Sequence, residues 1–320
     1  MVGSEAIAAL RAGGKLALAR ALTRIETGHG QAEVDAFLDA ACREGSGHVL
    51  GLTGPPGAGK STLTNSLLKA LRGAGKTTGV IAVDPSSRRS GGALLGDRTR
   101  LTADPEDAGI FIRSMAARDR LGGLSDHALA AIAVMRAARE AVIVESVGIG
   151  QSEADVAIAV DTLVLCIQPG SGDSLQFMKA GVMELPDIIV VTKADMGAYA
   201  ARAVADVKGA LSLSDREREG WQVPVLPVSA QDGSGLEALH EAIEAHRVFL
   251  EAGGLAARRF AQRQETWVAD YLKTRYGQAG SHLLAPAALI RAAGGPFAAM
   301  RLADRRLVVK VVPDEAATET

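Results

Sequence analysis

Gly54-Pro55-Pro56-Gly57-Ala58-Gly59-Lys60-Ser61 is the stretch that decides how the rest of this sequence is read. It matches the pattern G-x-x-x-x-G-K-[ST], it follows the apolar run 48–52, and it opens the helix-periodic run 61–71. Strand, glycine-rich turn and helix in that order make a phosphate-binding loop. Successive backbone N–H groups turn inward around an anion, and the positive end of the following helix adds to the field. In this geometry Lys60 reaches the β- and γ-phosphates of a nucleotide and the Ser61 hydroxyl becomes a magnesium ligand. The expected phosphate contacts are Gly54, Pro55, Pro56, Gly57, Ala58, Gly59, Lys60, Ser61 and Thr62.

Outward from this loop the chain alternates between two textures. Short apolar runs at 48–52, 80–83, 141–144, 162–167, 188–192 and 225–228 lack polar alternation, as strands buried on both faces do. Helical stretches at 61–71, 127–139 and 236–250 lie between or after them. The series predicts an α/β fold: a P-loop NTPase with a mostly parallel sheet flanked by helices and its ligands at the carboxyl ends of the strands. Residues 1–46 read as an N-terminal helical extension, with Ile7, Leu10, Leu16 and Leu18 loosely spaced and Val34, Phe37, Leu38 and Ala41 on one face. Residues 47–253 then form the nucleotide-binding domain, and 254–320 a C-terminal helical region.

In that last region 255–276 reads as one long helix stopped by Gly277, with Phe260, Trp267, Val268, Tyr271 and Leu272 as a stripe, and 307–312 as a strand. Spacing fits equally a module for self-association or partner docking and a helix packed on its own domain.

A second motif names the base. Thr192-Lys193-Ala194-Asp195 ends the run 188–192 and resembles the [NT]KxD guanine motif. The Asp195 carboxylate can accept from guanine N1–H and the 2-amino group, which adenine does not offer at that edge, so ATP leaves it unpaired. The Lys193 stem packs along the base plane. Ser229-Ala230, after the run 225–228, is similar to the loop that touches guanine from behind, and it reads equally as an ordinary serine at a strand end.

Acids at strand ends supply a metal site. Asp84 follows the run 80–83, and Glu145 closes 141–144. Carboxylates there hold magnesium directly or through water beside Ser61. Asp97, in a glycine-containing loop, reads equally as a metal ligand or a solvated acid. The loops 86–101, 148–153 and 169–181 have the composition of switches, and Gln151 in the second is a candidate for positioning the attacking water. The candidate catalytic set is therefore Lys60, Asp97, Glu145 and Gln151.

Composition narrows the classes. The chain has 320 residues, 48% hydrophobic and 22% charged, with a net charge of −2. No basic excess points to nucleic acid or an anionic membrane, and no apolar stretch approaches the roughly 18 residues of a membrane helix. Cys42 and Cys166 form no metal pattern, and the N-terminus lacks a secretory signal, which fits a reducing compartment, the cytoplasm or an organelle matrix, and not secretion. The six histidines are scattered without ligand spacing.

Together, Val83-Asp84-Pro85-Ser86-Ser87, Gly91-Gly92, Leu95-Gly96-Asp97, Leu121-Gly122-Gly123, the run from Glu145 to Glu153 and Gly172-Asp173 to Lys179 resemble the MeaB/ArgK family, of the G3E (SIMIBI-type) class of GTPases. Over about 48–250 the resemblance is dense. It implies GTP and magnesium as ligands, with Lys60, Ser61, Asp84, Asp97 and Glu145 on phosphate and metal, Lys193 and Asp195 on the base, and a third switch at 171–181. It further implies a chaperone of an adenosylcobalamin-dependent acyl-CoA mutase of the methylmalonyl-CoA mutase type, gating cofactor loading and protecting or reactivating the mutase, and a homodimer formed through C-terminal helices. A small-molecule kinase of the arginine or ornithine type and a metallochaperone GTPase are the competing readings. The chain departs from the family pattern at Arg88-Arg89-Ser90 and at Met115 to Arg120, both near partner-facing loops.

Overall fold

The computed structural model describes residues 3–28, 30–85, 101, 104, 106–117, 124–146, 152–170, 182–212 and 219–308. Three helices come first: α1 (Ser4–Ala12), α2 (Gly14–Thr27) and α3 (Ala32–Glu44). Then come β1 (His48–Thr53), α4 (Lys60–Gly73), β2 (Thr78–Pro85), β3 (Ile110–Ala117), α5 (Asp126–Ala138), β4 (Ala141–Glu145), α6 (Ser152–Ala157), β5 (Thr162–Ile167) and β6 (Ile188–Val191). The chain continues through α7 (Ala198–Ser212), β7 (Val225–Pro227), α8 (Leu236–Ala252), α9 (Leu255–Leu283), α10 (Pro286–Ala293) and α11 (Pro296–Val308).

Among the described residues the strands form one seven-stranded sheet in the order β3-β2-β4-β1-β5-β6-β7. Every pairing in it is parallel. After β1 the chain moves outward to β2 and β3, returns to β4, and then crosses β1 to reach β5. The carboxyl end of β1 is therefore the point where the winding reverses, the place such sheets bind ligands.

Successive side chains serve opposite faces. In β2, Val80 and Ala82 join the core under α4 and α8, whereas Ile81 and Val83 join the core shared with α5 and the terminal helices. In β5, Val164 and Cys166 face α4, and Leu165 and Ile167 pack with Ala200 and Val207 of α7. Both faces are covered, which is why these strands show no polar alternation.

Strand β3 is not among the apolar runs of the sequence. As an edge strand it need not be apolar throughout: Arg113 within it pairs with Glu26 of α2 at 2.7 Å. Two further expectations need correction. Leu16 is 60% exposed, whereas Ile7, Leu10 and Leu18 are buried together with Leu22 and Ile25. The strand expected at 307–312 begins inside α11, where Leu307 is buried among helices; residues 309–312 lie outside the described residues.

The terminal helices share one core with α5. Asp39 of α3 accepts hydrogen bonds from Phe297 N (2.9 Å) and Ala298 N (3.1 Å), capping the first turn of α11, and Asp35 pairs with Arg301 at 2.6 Å. The five stripe residues of α9 pack inward, with Trp267 Nε1 donating to Ile158 O at 2.8 Å. At Gly277 (φ 68°, ψ −169°) the helical backbone breaks where the sequence places a stop, and helix resumes to Leu283.

Candidate functional site

The loop between β1 and α4 is shaped by backbone that only glycine adopts easily. Gly54 has φ 135°, and a Cβ there would sit 2.1 Å from the Cys166 carbonyl oxygen, so no larger residue fits. Gly59, at φ 81°, turns the chain into α4. Lys60 is buried, and its Nζ folds back to donate to Gly54 O (2.7 Å) and Pro55 O (3.1 Å). Ala58 is buried, and Pro56, Gly57 and Thr62 are at the rim. The first N–H groups of α4 face this opening with no side-chain cap at Gly59, leaving them available to an anion.

Because β4 lies between β1 and β2, Glu145 rises beside the first turn of α4, in register with Leu52 on one side and Ala82 on the other. Glu145 is buried, and its Oε1 accepts from Ser61 Oγ at 2.6 Å and its Oε2 from Thr64 Oγ1 at 2.8 Å. Next to it Ser146 Oγ donates to Thr53 Oγ1 at 2.9 Å. The Asp84 backbone stands at the carboxyl end of β2, paired with Ala116; its side chain, Asp97 and Gln151 lie outside the described residues. Burial pushes the Cys166 thiol behind the loop up to about 12, against the lowering effect of Lys60, so it is an inert apolar wall.

On the other side of α4 a cavity of about 330 Å³ opens between Gly59, Leu63, Lys193, Asp195, Ser229 and Ala230. Thr192 anchors it from behind, with its backbone N (2.8 Å) and Oγ1 (3.1 Å) both bonded to Ile167 O. Lys193 adopts a left-handed conformation (φ 54°, ψ 45°), and its Nζ donates to Gln168 Oε1 at 2.8 Å. Ser229 is fully buried, its Oγ accepts from Gln231 N (3.3 Å) and Asp232 N (3.4 Å), and it thereby orders the turn that lines the cavity. A second cavity, of about 370 Å³, lies near His48 and Arg247 at the opposite end of the strands, away from every nucleotide motif.

Sequence reasoning missed Thr64 and Gln168. Both are ordinary polar residues in sequence; only the sheet order brings Glu145 over Thr64, and only the β5–β6 pairing brings Gln168 beside Lys193.

Comparison with known proteins agrees with this geometry. The family model described as methylmalonyl-CoA mutase-associated GTPase MeaB matches residues 18–280. The chain is 38% identical over 271 residues to the GTPase ArgK of Escherichia coli, covering 83% of this chain and 82% of that one. It is 39% identical over 219 residues to the mitochondrial methylmalonic aciduria type A homolog of Mus musculus, covering 67% of this chain and 53% of that one. A solved structure of a protein named LAO/AO transport system kinase superposes with a TM-score of 0.69 and 32% identity, covering 90% of this chain and 88% of that one. A phosphate loop at the reversal point of the sheet and a motif-lined cavity beside it are thus accompanied by sequence likeness over most of the chain: it belongs to the MeaB family and is a P-loop GTPase.

Proposed function

We propose that this protein is a magnesium-dependent, GTP-hydrolysing chaperone of an adenosylcobalamin-dependent acyl-CoA mutase, gating cofactor loading and protecting or reactivating the enzyme. The observation that carries the hydrolytic part is the Ser61–Glu145 contact at 2.6 Å beside the phosphate loop. A hydroxyl and a carboxylate on adjoining elements form a hard oxygen donor set that suits Mg²⁺. Ser61 and Glu145, joined by Asp84 and Asp97, are the residues that would hold the ion. Held there, the ion would neutralise charge developing on the phosphate oxygens.

The protein's own groups do the rest. The N–H groups at the start of α4 cradle the phosphates, and Lys60 leaves the loop carbonyls for the β- and γ-oxygens. Lys193 and Asp195 read the guanine, held in place by the Thr192 and Ser229 turns. Gln151 orients the attacking water.

The partner assignment draws on the mutase association in the family's description and on the likeness to the methylmalonic aciduria type A homolog. Residues 1–46, 47–253 and 254–320 form the N-terminal, GTPase and C-terminal regions, the last joining two copies into a homodimer that works in the cytoplasm. Phosphoryl transfer to a basic amino acid is the second reading, favoured by the kinase name of the solved relative.

GTP turnover with and without purified cobalamin-dependent mutases tests the proposal. Stimulation by one of them, with no phosphorylated amino acid formed, is expected. No stimulation by any mutase would sink the chaperone role, and stoichiometric phospho-arginine would establish the kinase.

A further inference from the structure

Thr64 is a fully buried hydroxyl one turn into α4. It lies three residues after Ser61, so the two side chains share one face of the helix. Its Oγ1 is 3.0 Å from Lys60 O and 2.8 Å from Glu145 Oε2, whereas Ser61 Oγ is 2.6 Å from Glu145 Oε1. The carboxylate of Glu145 is therefore gripped at both oxygens by one helix face.

A carboxylate turns easily about its last torsion, a broad two-fold minimum. One hydrogen bond to Ser61 fixes an oxygen but not the plane; the second, to Thr64, fixes the plane. Thr64 has one proton. The bond to its own helix is the common back-bond of a threonine, available anywhere on a helix and contributing little. The bond to Glu145 is charge-assisted and buried, and roughly twice as strong as a neutral one. Loss of the hydroxyl leaves a buried carboxylate oxygen without that donor.

We propose that Thr64 is a positioning residue of the magnesium site, holding the Glu145 carboxylate so that Oε1 faces the Ser61 hydroxyl and the cation both would bind. The inference rests on the reading that Ser61 and Glu145 hold that cation. Groups that orient a metal's ligands typically change metal affinity about 10–100-fold when removed.

The test compares Thr64→Val, which keeps shape and removes the hydroxyl, with Thr64→Ser, which restores it. The readout is the Mg²⁺ concentration needed for half-maximal tight binding of N-methylanthraniloyl-GDP, alongside binding in EDTA and thermal melting without metal. Thr64→Val should raise the Mg²⁺ requirement about 10–100-fold with EDTA binding unchanged, and Thr64→Ser should stay within about threefold of the parent. If Thr64→Val does not fold, Thr64→Ala is read in the same way. Glu145→Gln separates the two claims. Should Glu145→Gln leave the Mg²⁺ requirement unchanged, the cation reading itself fails. Should Glu145→Gln raise it while Thr64→Val does not, or should Thr64→Val and Thr64→Ser shift it equally, Thr64 is only a helix residue and the inference is overturned.

Discussion

Ser61 and Glu145, 84 positions apart in sequence, meet hydroxyl to carboxylate at 2.6 Å over the carboxyl ends of β1 and β4. Ser61 belongs to the phosphate loop and Glu145 to a strand outside it, so the contact ties the loop to the sheet. Ser61→Ala removes the shared hydroxyl without adding bulk. It should weaken Mg²⁺-dependent nucleotide binding about 10–100-fold and lower GTP turnover accordingly. Titration of Mg²⁺ against GDP affinity checks this, and an unchanged midpoint would contradict it.

At the opposite end of the strands Asp161 anchors α9 to the sheet. Its carboxylate bonds to Val49 N at 2.9 Å and pairs with Arg263, with Arg136 at 3.9 Å. Burial pushes this acid up, but Arg263 and Arg136 override that and hold it down at about 2. A folded-state value below the unfolded one means the stabilisation is present above about pH 4 and is lost as pH falls through 2. Asp161→Asn leaves the buried Arg263 guanidinium without its counter-charge and should cost about 3–5 kcal/mol at neutral pH. Denaturant unfolding measures it; a loss under about 1 kcal/mol would show the pair to be dispensable.

Asp39 works with the opposite sign. Burial raises its carboxyl to about 6, against the lowering effect of the Phe297 and Ala298 N–H groups. A value raised in the folded state contributes stability that is fully present below about pH 4 and fades as pH rises through 6. Folding stability should therefore fall from pH 4 to 7, by about 3 kcal/mol in total from this group. Asp39→Asn, which carries no charge, should flatten that part of the curve. Parallel melting curves for the two proteins across this window would argue against a raised Asp39.

Six strands were legible because each reads as an unbroken apolar run, and β4, β5 and β6 among them are buried along their whole length. Strand β3 was hidden because an edge strand tolerates Arg113 and Ser114 in its middle. The break at Gly277 was legible from glycine alone, and the sequence also reads as short helices beyond it, where helix continues to Leu283 and then through α10 and α11. At the site, Gly54 to Ser61 and Thr192 to Asp195 carry local chemistry and announce themselves. Thr64 and Gln168 do not, because their roles come from which strands are neighbours. Leu307 reads as a strand residue by composition, but helix packing claims it.

We propose that Asp195 reads guanine within this phosphate-loop fold. The most direct measurement is kcat/KM for GTP, ATP and xanthosine triphosphate, in the parent protein and in Asp195→Asn. An amide in place of the carboxylate offers a donor to the xanthine 2-oxo group and loses an acceptor for the guanine 2-amino group. The parent should show strong GTP preference. In the variant, GTP use should fall about 10²–10⁴-fold and xanthosine triphosphate should become the favoured substrate. Equal turnover of ATP and GTP by the parent, or undiminished GTP use by the variant, would contradict it.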